Sequence, residues 1–347
     1  MNIQARSASS QRPDAGKAEP AVHFVVVMDP IHVADMLYGP GLGALLATGA
    51  VALHPTAFAD LDSEPARRAL AAADVLITGW GAPHITAEQL AAAPRLKYLL
   101  HAGGQAGHVL PAELGRDLQL SNAGWINAIP VAEFTFAMII LANKQAFRTR
   151  NLYRQRRGFV NRELEFPKAG NRDKVIGIVG ASRIGRIVME RLGDIEVSIK
   201  LYDPHVSSAE AARLGAELVS LDTLMASSDI VSLHPPLNET TQGMIGAGQL
   251  ALMRDGATLI NTARGLIVDQ DALVAELARG RIEAILDVTH PEVLPKDHPL
   301  YDMPNVFLTP HISGSMGPEI SRMGAHVASE LSRIVNGQPL AFPETAP

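Results

Sequence analysis

Short apolar runs alternate with amphipathic stretches along most of the chain, the pattern of parallel strands buried on both faces and joined by crossover helices. That pattern points to α/β and excludes an all-α or all-β fold. Strands are expected at His23–Met28, Val75–Thr78, Leu96–Leu100 and Leu118–Ser121, forming one sheet. A second sheet of about six strands is expected from Val175–Val179, Val197–Tyr202, Ile230–Leu233, Thr258–Asn261, Ala284–Leu286 and Val306–Leu308. Between the two, Val131–Arg150 reads as a long helix opened by Pro130, apolar on more than one face and so buried from more than one side. A further helix is expected over Gly317–Val335. At 347 residues the chain suits two domains better than one core.

Composition narrows the function classes. Apolar residues make up 47% and charged residues 19%, as in a soluble globular protein. A net charge of −6 supplies no basic field for nucleic acid or an anionic membrane, so the expected partner is a small molecule. The absence of cysteine excludes disulfides, thiolate metal sites and cysteine nucleophiles, and fits a cytoplasmic setting. Residues 1–20, polar and rich in Ala, Ser and Pro, read as a disordered leader without the apolar run of a secretory signal. The most apolar helix candidate, about Val131–Asn143, contains Glu133 and is too short for a bilayer, so no membrane span is expected.

The most informative stretch begins at Val175 and runs Val-Ile-Gly-Ile-Val-Gly180-Ala-Ser182-Arg-Ile-Gly185. A strand passes through a tight glycine turn into a helix whose first N–H groups can face a pyrophosphate. Gly180 permits the turn and Gly185 the close packing of helix on strand. Ser182 stands where the usual motif has its second glycine; its Cβ narrows the approach, while its hydroxyl can donate to a phosphate. Eighteen residues beyond Gly185, Asp203 ends the next strand, where a carboxylate accepts from ribose hydroxyls and repels a 2′-phosphate. The cofactor expected from this turn is NAD.

Three later strands end in ionisable groups: Asn261-Thr-Ala-Arg264-Gly265, Asp287-Val-Thr-His-Pro-Glu292 and Thr309-Pro-His311-Ile-Ser-Gly314. In a doubly wound sheet, ligands bind at that edge. With Asn122–Glu133 and His234-Pro-Pro-Leu-Asn-Glu-Thr240, these stretches resemble, from about Leu96 to Gly314, the D-isomer-specific 2-hydroxyacid dehydrogenases, the family of phosphoglycerate, glycerate and D-lactate dehydrogenases. The resemblance implies that His311 is the acid/base, that Glu292 hydrogen-bonds it, and that Arg264 holds the carboxylate and carbonyl of a small 2-oxo acid. Chemistry agrees: the carbonyl needs a proton donor titrating near neutrality, and a planar guanidinium fork matches a carboxylate. A buried Glu292 is expected to keep the imidazole charged. The resemblance also sets Arg183 and Ile184 beside the pyrophosphate, Thr262 and Ala263 along the nicotinamide, and Asp287 at its carboxamide. His234, Pro235, Thr240 and Gly314 complete the cofactor set. No metal site is expected, since no histidine pair has a recognised ligand spacing.

On the substrate side, the loop after Leu100 resembles the family segment whose backbone N–H groups receive the carboxylate, here from Gly104 and Gln105. Relatives commonly have glycine at the position of Gln105 and aspartate at that of Gly107. Trp80 and Trp125 can wall the pocket or serve as packing core. The implied architecture is a flavodoxin-like substrate domain, residues 21–121 and 315–347, with a Rossmann NAD-binding domain, residues 122–314, and a homodimer through the latter. Rival readings are a non-catalytic NAD-sensing, corepressor-like protein on the same fold, and a phosphite-oxidising relative. Glu292 argues against formate, whose enzymes carry glutamine beside the histidine.

Overall fold

The structure, a computed structural model, describes residues 21–344 apart from 105, 108 and 112–116. The expected leader and Gln105 lie outside the described residues. Contacts group the chain into two units. The first takes the chain up to Leu100, Gly107–Ser121 and the chain from Val327 onward; the second takes His101–Ala106 and Asn122–His326. The return to the first unit thus falls within the helix Ile320–Val335, where the sequence set it at 314/315, and the loop 101–106 groups with the second unit.

Among the described residues, the sheet of the first unit has six strands: β1 (His23–Val27), β2 (Val51–Ala52), β3 (Val75–Gly79), β4 (Tyr98–Ala102), β5 (Gln119–Asn122) and β13 (Pro343–Glu344). Their order is β13-β5-β4-β3-β1-β2. Leaving β13 aside, this is the flavodoxin-like order 2-1-3-4-5. Two of these strands were not legible in the sequence. β2 is too short to show a run, and β13 pairs antiparallel with β5 at the sheet edge, so the sheet is not purely parallel.

The sheet of the second unit is parallel throughout, in the order β12-β11-β10-β9-β6-β7-β8. Its strands are β6 (Lys174–Val179), β7 (Val197–Tyr202), β8 (Ala216–Leu218), β9 (Ile230–Leu233), β10 (Thr258–Asn261), β11 (Glu283–Leu286) and β12 (Val306–Leu308). Counted from β6, strand order runs 3-2-1-4-5-6 with one more strand added, the doubly wound order of a Rossmann domain. The short β8 was not anticipated. Alternate residues of the strands feed two apolar layers. Ile176, Ile178, Ile260 and Ile285 point into one, while Val179, Val231, Leu259 and Leu286 point into the other.

The long central helix differs from expectation. It runs Gly124–Asn143 and holds Pro130 inside rather than at its start, and a separate helix, Ala146–Arg156, follows. Asn122 Oδ1 accepts the Gly124 N–H at 2.9 Å just ahead of the helix, whose N-cap is Ala123. The break comes at Gln145, whose φ of 52° is left-handed. At 20 residues this helix is long and apolar enough to cross a membrane, contrary to the shorter reading. It is instead built into the second unit, with Ala132, Met138, Ile139 and Ala142 in the layer shared with the helix Arg183–Leu192.

Candidate active site

Because the strands of the second sheet all run one way, the segments that follow β6, β7, β9, β10, β11 and β12 emerge at one edge. The order reverses between β6 and β9, and the glycine turn leaves β6 there. Gly180 has φ 94°, and a Cβ on it would stand 2.8 Å from the Pro235 nitrogen, so only glycine fits this cradle. Ser182 is the N-cap of the helix Arg183–Leu192, its Oγ accepting from the Gly185 N–H at 3.3 Å. Its φ of −64° asks for no glycine, and with Oγ accepting from the helix its hydroxyl hydrogen remains to be donated outward. The departure from the usual motif is thus a helix cap.

Asp203 closes the turn from the side. Its Oδ2 accepts the Ala181 N–H at 2.7 Å and its Oδ1 the His205 N–H at 2.8 Å. A carboxylate has about four acceptor positions, so two remain for a ribose diol. His234 and Pro235 form the floor of the turn, both buried. The His234 ring lies in the core rather than at the surface: Nε2 meets Ser232 Oγ at 2.9 Å, Nδ1 is buried without a partner, and burial lowers the pKa to about 3. Thr240 is exposed in a turn organised by the Asn238 side chain. A glycine cradle, a capped helix N-terminus and a carboxylate with spare acceptors fit a dinucleotide without a 2′-phosphate.

The second half of the edge carries the acid, base and cation. His311 has a left-handed φ of 55° and presents Nδ1 to Glu292 Oε1 at 2.5 Å, leaving Nε2 for another partner. The side chains are 46% and 56% exposed, so the buried partner expected for His311 is not found; the pair is open to solvent. Its geometry is imposed from below by Asp287, which is buried. The Asp287 carboxylate accepts from Thr309 Oγ1 at 2.7 Å, the Ile312 N–H at 2.8 Å and the Ser313 N–H at 2.9 Å, and its carbonyl accepts the His311 N–H at 2.9 Å. Four bonds from one residue hold the segment that bears the imidazole.

Arg264 is exposed at the end of β10, its Nη1 donating to the Ala263 carbonyl at 2.6 Å. Buried Asn261 shapes this segment from both sides, accepting the Ala263 N–H at 3.0 Å and donating to the Arg264 carbonyl at 3.0 Å. Thr262 is tied to Thr135 of the long helix, hydroxyl to hydroxyl at 2.9 Å. The next residue, Gly265, lies against the backbone of Thr289, where a Cβ would stand 2.2 Å from the carbonyl carbon. Gln270 then grips His290, donating to its carbonyl at 2.8 Å and accepting its N–H at 3.0 Å. Ser315, beyond Gly314, donates to Asn127 Oδ1 at 2.8 Å. Asn261, Gln270, Asn127 and Thr135 were not singled out from the sequence. The one signal available was a polar residue closing an apolar strand, as Asn261 does after Leu259-Ile260.

Comparison with known proteins decides the family. The model of the D-isomer specific 2-hydroxyacid dehydrogenase NAD binding domain matches residues 136–313, more than half of the chain. The chain belongs to that family. Within it, the chain is 33% identical to a D-3-phosphoglycerate dehydrogenase of Archaeoglobus fulgidus over 262 residues, 74% of this chain and 48% of that protein. It is 32% identical to a glyoxylate reductase of Thermofilum pendens over 89% of this chain and 92% of that one. The chain thus spans about half the length of the phosphoglycerate dehydrogenases it matches, and nearly all of the glyoxylate reductase. A crystal structure of an NAD-dependent formate dehydrogenase from Staphylococcus aureus in complex with NAD superposes with a TM-score of 0.68 at 26% identity, covering 94% of this chain and 99% of that one. The stretch that matches the family's NAD-binding domain holds the glycine turn, Asp203, Arg264, Asp287, Glu292 and His311.

Proposed function

We propose that this protein is an NAD-dependent dehydrogenase that interconverts a small 2-oxo acid and its D-2-hydroxy acid. The observation that carries the reading is the His311–Glu292 contact of 2.5 Å, held by Asp287 at the edge that bears the glycine turn. Gly180, Ser182, Arg183, Ile184 and Gly185 would hold the pyrophosphate, Asp203 the adenosine ribose, and Thr262, Ala263, Asp287 and Gly314 the nicotinamide end, while His234, Pro235 and Thr240 shape the wall. Bound nicotinamide supplies the hydride in one direction and accepts it in the other. His311 Nε2 gives its proton to the carbonyl oxygen in reduction and takes it back in oxidation. Glu292 orients the ring through Nδ1. Arg264 and the backbone at Gly104 and Gln105 receive the carboxylate. The guanidinium also faces the negative charge that develops on the carbonyl oxygen, which favours the transition state over the ground state.

A corepressor-like protein that only senses NAD has no use for an imidazole oriented by a carboxylate, and fold alone would not distinguish the two. The deciding experiment is NADH oxidation over a panel of 2-oxo acids with the reverse reaction alongside, formate and phosphite included. Turnover should require His311: His311→Asn is expected to lower kcat by about a hundredfold or more. NADH binding without turnover of any acid would favour the sensor. Turnover of phosphite but of no hydroxy acid would move the substrate class.

A homodimer belongs to the proposal. On the Gly124–Asn143 helix, Ile126, Ile129, Ala137 and Ile140 lie on one stripe at helical spacing, interrupted by exposed Glu133, which pairs with Arg191, and none of the four is fully buried. Beyond it Tyr153, Phe159 and Leu164 are exposed. A largely apolar stripe continued by exposed Tyr, Phe and Leu side chains suits a second copy. A cytoplasmic setting is also proposed, in keeping with a chain without cysteine.

A further inference from the structure

We propose that Glu210 is a specificity-determining residue for the cofactor: by holding the Arg186 guanidinium it withholds that cation from a 2′-phosphate on the adenosine ribose, and so acts with Asp203 against NADP. This rests on reading the turn at Gly180–Gly185 as a dinucleotide site with Asp203 at the ribose. Asp203 and Arg186 both reach the turn through Ala181. Asp203 Oδ2 accepts the Ala181 N–H at 2.7 Å, and Arg186 Nε donates to the Ala181 carbonyl at 2.8 Å. A carboxylate that suits a ribose diol and a guanidinium that suits a phosphate are thus bonded to one residue. Arg186 Nη2 donates to Glu210 Oε1 at 2.7 Å, the two side chains being 39% and 31% exposed. Nη1 makes no hydrogen bond among the described residues and remains a donor.

The helix that bears Glu210 does not account for this contact. It runs Ser208–Arg213 and is capped by Ser207, whose Oγ accepts the Glu210 N–H at 3.2 Å. A glutamate at this third helical position commonly reaches back to the N–H of its own cap. The Glu210 carboxylate meets Arg186 of another helix instead. Stability does not account for it either, since ion pairs this open to water contribute little. What the pair changes is the charge beside the ribose. The segment that leaves β7 after Tyr202 carries both carboxylates, Asp203 on the turn and Glu210 on the guanidinium. The first repels a 2′-phosphate, and the second cancels the cation that would attract one. Two carboxylates and one guanidinium leave this edge net negative. Without the Glu210 charge it would be neutral, with the planar fork of Arg186 released to a phosphate.

Calorimetric titration of the full chain with NADH and NADPH, which differ only in the 2′-phosphate, isolates this role. Competition against NADH reads those NADPH affinities that are too weak for direct titration. Glu210→Gln, which keeps the length and one acceptor without the charge, should raise the ratio of NADPH to NADH affinity by about three- to tenfold. The change should lie in NADPH, with NADH bound as by the wild type. Arg186→Met should lower the ratio by a similar factor, because Glu210 is then left as an unopposed anion. Arg186→Met combined with Glu210→Gln removes both charges and should return the ratio to near its wild-type value. An unchanged ratio in Glu210→Gln, or a double variant that keeps the full gain of that substitution, would overturn the proposal. A wild type that binds neither cofactor would instead overturn the dinucleotide reading itself. Near-UV circular dichroism of each variant establishes that the comparison is between folded proteins.

Discussion

Asp287 and His234 are buried polar residues with opposite fates. Asp287 spends its carboxylate on three donors, the Thr309 hydroxyl and the Ile312 and Ser313 N–H groups. His234 has one partner and stays neutral, since burial lowers its pKa to about 3. In the unfolded chain the same ring titrates near 6.5. Between these values the unfolded chain binds a proton that the folded chain refuses. The contribution of His234 to stability is therefore whole above pH 6.5 and is lost as the pH falls towards 3. Denaturant unfolding measured from about pH 7 down to about pH 4 should show the wild type losing stability more steeply than His234→Asn, the slopes differing by up to about 1.4 kcal/mol per pH unit. Parallel slopes would mean that the ring is protonated in the native protein. No acid role in the reaction follows for His234, whose proton affinity is far below that required near neutrality.

The loops after β10, β11 and β12 behave as one element. Asn261 shapes the Arg264 segment, Gln270 grips the segment that leads to Glu292, and Asp287 carries the His311 segment. Gly265 joins the first of these to the second, because its lack of a side chain lets the two backbones touch. Gly265→Ala would place a methyl 2.2 Å from the Thr289 carbonyl carbon, so one segment must move. A displacement of about 1 Å of reacting groups costs on the order of a hundredfold in rate. Steady-state kinetics should therefore show a loss of about that size in kcat/KM, while calorimetry shows ADP affinity little altered, because the glycine turn and Asp203 are elsewhere on the edge. Wild-type turnover in this variant would mean that the segments hold their positions independently. Helix boundaries are a matter of the element too. Pro130 removes one backbone donor only, and the helix runs through it.

At the scale of the whole molecule, two α/β units are assembled from one chain that leaves the first unit and returns to it. The proposed dimer is tested at the stripe on the Gly124–Asn143 helix. Ala137 is exposed, and Ala137→Glu adds a charge that tolerates solvent but not an apolar interface. Sedimentation should find the wild type as a dimer and the variant shifted towards monomer, with unchanged far-UV circular dichroism; a monomeric wild type would remove this helix from the role. By itself, the sequence determined the α/β class, ten of the strands in the two sheets, the glycine turn with Asp203, and the candidates Arg264, Glu292 and His311. The strands and the turn are legible because burial and hydrogen bonding over short distances leave a period or a spacing in the chain, while the three candidates came from the resemblance to the family. The tertiary structure alone decided that Glu292 is exposed, that Asp287 hangs the His311 segment, that Gln270 reads the backbone of His290, and that Trp125 meets Arg183. Such contacts join residues up to tens of positions apart, and their energy depends on where packing brings two atoms. No local pattern of residues records that distance.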